Sequence, residues 1–511
     1  MRALLIAFVI SGMGGVAAAR GAMSPPAELI TVFTPGAPGS LDGLRDFANA
    51  MKPGSGMMIN DALIVPALAA EVGLTGAGGI DTTSPLYLAY VDGGGAKGWV
   101  LIAKADQTKL DTTASTSVAA DSGWVVVGKA AAVKKISKYA LATFPTQAAP
   151  TAPTATLYVT QVLARYKNEI KNAQAAAIAS MSAQNNMMSG LAQSYVDGLL
   201  AAAADTDRVV VTLEADKASA ALELVLWPRF KTRLDKFVKT QHASDYAMLD
   251  KLPASTSAWI AIAGHIEAGP YRQGMLELAS RMYGAGAPPE LVKFFDNLMK
   301  ASTAELAMTM GIGKNGMSLE YVFGVEDQKS LDTTLAKFFD LIAKPKTIDV
   351  LGIPTTLQTD PGASDHDGVS LRSYSTTYDL SKVPATQAAA MKQMVGGGTI
   401  HTIIGSFDQL GFMTQGADAA ADAGRTIDAA RGKGTHYAAP ADAKDLLAAS
   451  RARKDSIVML MDFGAFAAMN PAMAATKVKV KGSMLMTVGF ADGGLHLRMV
   501  LPAATAKSFT P

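Results

Sequence analysis

The side chains best suited to chemistry in this sequence stand at Asp365-His366-Asp367-Gly368, where two carboxylates flank an imidazole. Donors of that kind suit a divalent cation. An ion held by Asp365, His366 and Asp367, with His401 as a further donor, would lower the pKa of a bound water and make a metal-dependent hydrolase. As a calcium loop the cluster fails: aligning its acids puts Ala363 in the first position and Tyr374 where the closing bidentate glutamate belongs. Asp-Gly ahead of the strand-like run 369–374 also makes an ordinary tight turn. The turn is the reading adopted, and the secreted metal-dependent hydrolase is kept as the alternative.

Other motifs carry less. Gly311-Ile312-Gly313-Lys314-Asn315-Gly316 matches G-x-G-x-x-G letter for letter. A dinucleotide loop must open a helix whose first N–H groups meet the pyrophosphate. Here a strand-like run, 317–325, follows, so the glycines predict a hairpin turn. His265-Ile266-Glu267 looks like the opening of a zinc deaminase motif, but the cysteine pair which that motif requires is absent, since the chain has no cysteine at all. That same absence removes disulfides, thiolate nucleophiles and cysteine-based metal sites. The six histidines, at 242, 265, 366, 401, 436 and 496, show no spacing with a nucleophile and a carboxylate. The cations of 425–454 are interspersed with Asp428, Asp442, Asp445 and Asp455 and have few aromatic neighbours, so they predict a solvated face rather than a nucleic-acid surface. No cofactor motif remains, and the chain reads as more suited to binding than to catalysis.

The elements that must carry these residues follow from composition and pattern. With 49% hydrophobic and 18% charged residues, the 511-residue chain has ample apolar surface to fold, and on length it divides into several domains. A net charge of +2 excludes polyanion binding as its main business. Arg2, the apolar run 3–10, the small residues 11–15 and Ala17-Ala18-Ala19 before Arg20 have the layout of a secretory signal peptide spanning 1–19, with cleavage between Ala19 and Arg20. Export to the periplasm or the medium is therefore expected. No later run is long enough to span a membrane.

An internal duplication is the strongest pattern. Asp106-Gln107-Thr108-Lys109-Leu110-Asp111-Thr112-Thr113 lines up with Asp327-Gln328-Lys329-Ser330-Leu331-Asp332-Thr333-Thr334, each after two strands joined by a glycine-rich turn. An amphipathic helix capped by the aspartate is expected after both. Downstream, Gly123-Trp124 resembles Gly411-Phe412, and alanine-rich helices follow at 130–142 and 417–430. Hairpins are expected for 208–213 with 221–226, and a meander for 477–481, 484–490 and 495–501. The run 159–204 has apolar residues at helical steps, with a break near 184–186; its Met and Ala face offers a soft groove or packs on the sheet. The expectation is an α+β fold of duplicated units, antiparallel sheet packed against helices: a first half at 27–250 and a related second half at 257–511, with a larger insertion near 340–410.

At these landmarks, and at Pro253, Glu305-Leu306-Ala307 and Val325-Glu326-Asp327, the chain resembles a loose group of uncharacterised bacterial exported proteins built from duplicated α+β domains. The resemblance implies export and a two-part fold, and no activity. The expected function is that of an exported, non-enzymatic binding or scaffold protein of the cell envelope, its partner an apolar ligand or another envelope protein.

Overall fold

The computed structural model describes residues 24–509, except 185–188, 256–257, 283–287, 314–315, 351–352, 361–363, 384, 396 and 470–479. The expected signal peptide, with Ala19 and Arg20, lies outside the described residues, as does most of the expected strand at 477–481. The fold is α+β, with antiparallel sheets and helices packed on them. The chain divides into two compact units. One comprises residues up to 172 with 201–235 and 491–510; the other comprises 173–200 and 236–490.

The first unit's sheet runs through Thr116–Asp121, Trp124–Lys129, Ala96–Lys104, Leu86–Gly93, Leu29–Thr34, Thr154–Tyr158, Thr206–Ala215, Ser219–Pro228 and Gly494–Pro502. Three of these strands read as unbroken apolar runs, because both of their faces are sealed. Helix Ala130–Thr143 lays Val133, Ile136 and Tyr139 over Ala89, Val100, Ile102 and Val126. Helix Asp61–Glu71 lays Val65, Leu68 and Ala69 over Leu88, Leu101, Val125 and Val127.

The two consecutive halves expected from sequence are not the compact units. Strand Gly494–Pro502 pairs along its length with Ser219–Pro228, from Leu495 opposite Leu226 to Pro502 opposite Ser219, and so the chain's last strand and helix join the first unit.

The second unit's sheet runs through Lys346–Val350, Ile353–Thr359, Val369–Tyr378, Thr399–Phe407, Leu410–Gln415, Gly316–Val325, Ser302–Gly313, Ala258–His265, Ile457–Asp462 and Ser483–Ala491. From Thr399–Phe407 onward its seven strands occupy the same places, in the same chain order, as the first seven of the other sheet. The strands 346–378 lie beyond them, at the position of the expected insertion.

The Asp landmarks follow corresponding strands but lead to different structures. Asp327 accepts a hydrogen bond from Ser330 N and caps helix Gln328–Leu341. Asp106 accepts from Thr108 N and caps only the turn Gln107–Lys109, where a helix was expected. The difference lies downstream. Leu331, Leu335 and Phe338 give the second segment a buried stripe, whereas the matching positions of the first are Leu110, Ala114 and Ser117. Without an apolar face, propensity alone does not hold a helix.

Leu331 is wholly buried beside Phe323, Leu335 and Ile404. Leu331→Ala should lower chemical-denaturation stability by about 3 kcal/mol, and Leu110→Ala, at the half-buried counterpart, by about 1 kcal/mol. Equal losses would contradict the assignment of a packed helix to one site alone.

Candidate functional site

In the second unit, successive residues of each central strand point to opposite faces, and the two faces are covered unequally. One carries Ala261, Ala263, Ala307, Val322, Phe412, Val458, Leu460 and Leu485, all buried. Helix Ala419–Ala430 lies on it through Ala423 and Ile427, and Thr414 Oγ1 donates to Ala419 O at 2.8 Å. The turn Ala247–Lys251 covers its other end, bringing Met248 to Gly324.

The opposite face is built of two rungs that cross six strands. Pairing places Met413, Tyr321, Met308, Ile262, Met459 and Met486 side by side. The next rung is Gln415, Leu319, Met310, Ile260, Met461 and Met484. Neither rung holds a charge, and seven of the twelve residues are methionine. Leu319 is buried and Met486 is 41% exposed; the remainder are half-buried. Helices Pro289–Ala301 and Gln328–Leu341 cover the neighbouring rung at Leu306 and Phe323 through Phe294, Leu298, Leu331 and Leu335. The methionine rungs are the candidate site: an uncharged, adaptable, incompletely covered sheet face.

Sequence reasoning placed a methionine face on the helical run 159–204 instead. That run forms helices Val159–Arg165, Lys167–Gln184 and Ser189–Ala204, with Leu199 exposed; the side chains of Met181 and Met188 lie outside the described residues. The signal for the strand site was present in three Met-x-Met doublets, at 308–310, 459–461 and 484–486.

The candidate metal residues are not brought together. Ser364–His366 and Val369–Tyr378 form a hairpin, and Asp367 and Gly368 make its turn with φ of 52° and 78°. Asp365 Oδ1 accepts from Gly368 N at 2.9 Å. Asp367 accepts from Arg431 at 2.8 Å and from Lys433, and those two cations hold its carboxyl below the usual range. His366 Nε2 lies 2.9 Å from Asp428 Oδ1, and His401 Nδ1 lies 3.3 Å from Asp360 Oδ2. Each donor is engaged by a different neighbour, and among the described residues no group of three or more histidine or acidic side chains is arranged to hold a metal.

Gly313 pairs with Gly316 across the hairpin, so the glycine-rich motif is a turn between strands; Lys314 and Asn315 lie outside the described residues. His265 Nδ1 lies 3.2 Å from Glu305, which also accepts from Ser244 Oγ at 3.1 Å. In that arrangement the serine faces the carboxylate and not the imidazole. The basic residues of 425–454 are tied locally: Arg425 to Asp422, Arg431 to Asp408, Arg453 to Asp455. Among the described residues no helix is long and apolar enough to cross a membrane.

The sealed face carries an acid that sequence reasoning did not single out. Glu320 is 2% exposed beneath helix Ala419–Ala430, and Thr309 Oγ1 donates to its Oε2 at 2.6 Å. Burial, reinforced by the repulsion of buried Asp422, raises its pKa.

No family model and no curated protein matches this chain. Two solved structures, crystal forms III and I of TP0453, align with 51% of this chain and with 96% and 95% of their own. Their TM-scores are 0.24 and 0.23, at 8% and 7% identity, and a likeness of that size carries no argument about fold or function.

Because the pKa of Glu320 is raised in the folded state, its ionisation opposes folding. Stability is greatest below the unfolded value of 4.5 and is lost as pH rises through the folded one. Glu320→Gln should therefore raise the melting temperature at pH 7, and the gain should vanish below about pH 4. A gain independent of pH would contradict the buried-carboxyl account.

Proposed function

We propose that this is an exported, non-catalytic protein of the cell envelope, built from two related units, whose methionine-lined sheet face holds an apolar ligand. The observation that carries the reading is the pair of uncharged rungs centred on Met308, Met310, Met459 and Met461, half-open on one side of a sheet whose other side is sealed. A ligand that removed roughly 200 Å² of that face from water would gain about 5 kcal/mol before the entropic cost of association. Thioether side chains reshape around such a ligand with little strain.

Relatedness of the two units is supported by seven strands in one spatial and chain order and by the Asp106 and Asp327 landmarks after corresponding strands. Export is supported by Arg2, the apolar run 3–10 and the small residues before Arg20. A non-catalytic role is in keeping with the separate engagement of Asp365, His366, Asp367 and His401.

Titration of the full chain with 1-anilinonaphthalene-8-sulfonate tests the site. Met459→Glu sets a charge in the middle of a rung and should weaken binding by about tenfold or more, while Met459→Leu should bind like the parent. Parent-like binding by a folded Met459→Glu protein would overturn the assignment.

A further inference from the structure

The turn after strand Ser219–Pro228 holds an aromatic ring out in water. Phe230 is 76% exposed, and Arg229 and Lys231 beside it are exposed too. Helix Arg233–Thr240 follows, turning Leu234, Asp235 and Val238 inward and Arg233, Lys236 and Lys239 outward. The run 229–240 contains one acid, Asp235, which is buried and whose Oδ2 accepts from Lys231 N at 2.9 Å. Its outer surface carries Arg229, Lys231, Arg233 and Lys236 around one exposed ring.

The turn is fixed. Arg229 N donates to Asp205 O at 2.7 Å, and the Arg229 guanidinium donates to Ala204 O. Thr232 Oγ1 donates to Arg229 O at 2.7 Å. Lys231 has a left-handed φ of 64°, a conformation that a side chain disfavours, and its Nζ stands 5.1 Å from the Phe230 ring centre. The fold thus holds a large apolar side chain mostly exposed to solvent.

We propose that this turn docks the protein on an anionic lipid surface, with Phe230 entering the boundary between headgroups and acyl chains and the flanking cations meeting lipid phosphates. Aromatic rings favour that boundary, and each lysine or arginine near an anionic surface adds attraction. A protein partner suits the run less well. Phe230 is its single exposed apolar residue, a point rather than the apolar patch that a protein interface buries at its core. The proposal does not depend on the methionine face.

Cosedimentation of the full chain with phosphatidylcholine vesicles, with and without phosphatidylglycerol, tests it. Binding should require phosphatidylglycerol and fall with added salt. Phe230→Ala should weaken it about tenfold, and the double variant Lys231→Glu, Arg233→Glu at least as much. Melting temperatures should be unchanged, since these side chains are exposed. No binding, equal binding to neutral vesicles, or undiminished binding by both variants would overturn the proposal. So would capture of an acidic polypeptide that the same variants weaken while vesicles stay unbound.

Discussion

Strand register in the second unit is the constraint on which the site depends. Side chains alternate with a period of two, so a one-residue slip exchanges the two faces of a strand. A slip of Ser302–Gly313 would carry Met308 and Met310 to the sealed side and leave Ala307 and Thr309 on the open one. What pins the register is the sealed side itself. Ala261, Ala263 and Ala307 are small enough for close cover, and Thr309 must meet Glu320 across the strand pair. Thr414 must likewise reach the backbone of the helix above it. The open methionine rungs are the other side of that arrangement.

The two units use sheets of one strand order differently. Around Leu86–Gly93 and Ala96–Lys104 both faces are covered, by Ala130–Thr143 on one side and Asp61–Glu71 on the other, and the runs 86–91 and 99–103 are apolar. In the second unit helix Pro289–Ala301, which lies between its first two strands, reaches Leu306 and Phe323 and leaves the rungs beyond them half-covered. Helix Gln328–Leu341, which adds to that cover, has only a short turn as its counterpart in the first unit. One strand order thus supports a closed core in one unit and an open face in the other.

The α+β class and most of the strand and helix positions were legible in the sequence, because alternation and helical spacing are local. Gly93-Gly94-Gly95, Asp367-Gly368 and Asp492-Gly493 announced tight turns for the same reason. What local pattern does not contain is pairing between distant strands. The return of Gly494–Pro502 to Ser219–Pro228 has no local signature, so the compact units do not follow the consecutive halves read from sequence. The Met-x-Met doublets were visible, but only their alignment across six strands turns three short motifs into a surface. Sequence reading did not single out Phe230; its exposure follows from the hydrogen bonds that hold Arg229, Lys231 and Thr232.

Native mass spectrometry of the protein isolated from its own cells tests the central claim most directly. The account predicts a bound apolar molecule that persists through gentle ionisation in the parent and is missing from a folded protein with a charge placed in the methionine rungs. A bare polypeptide mass in both, or the same adduct in both, would contradict it.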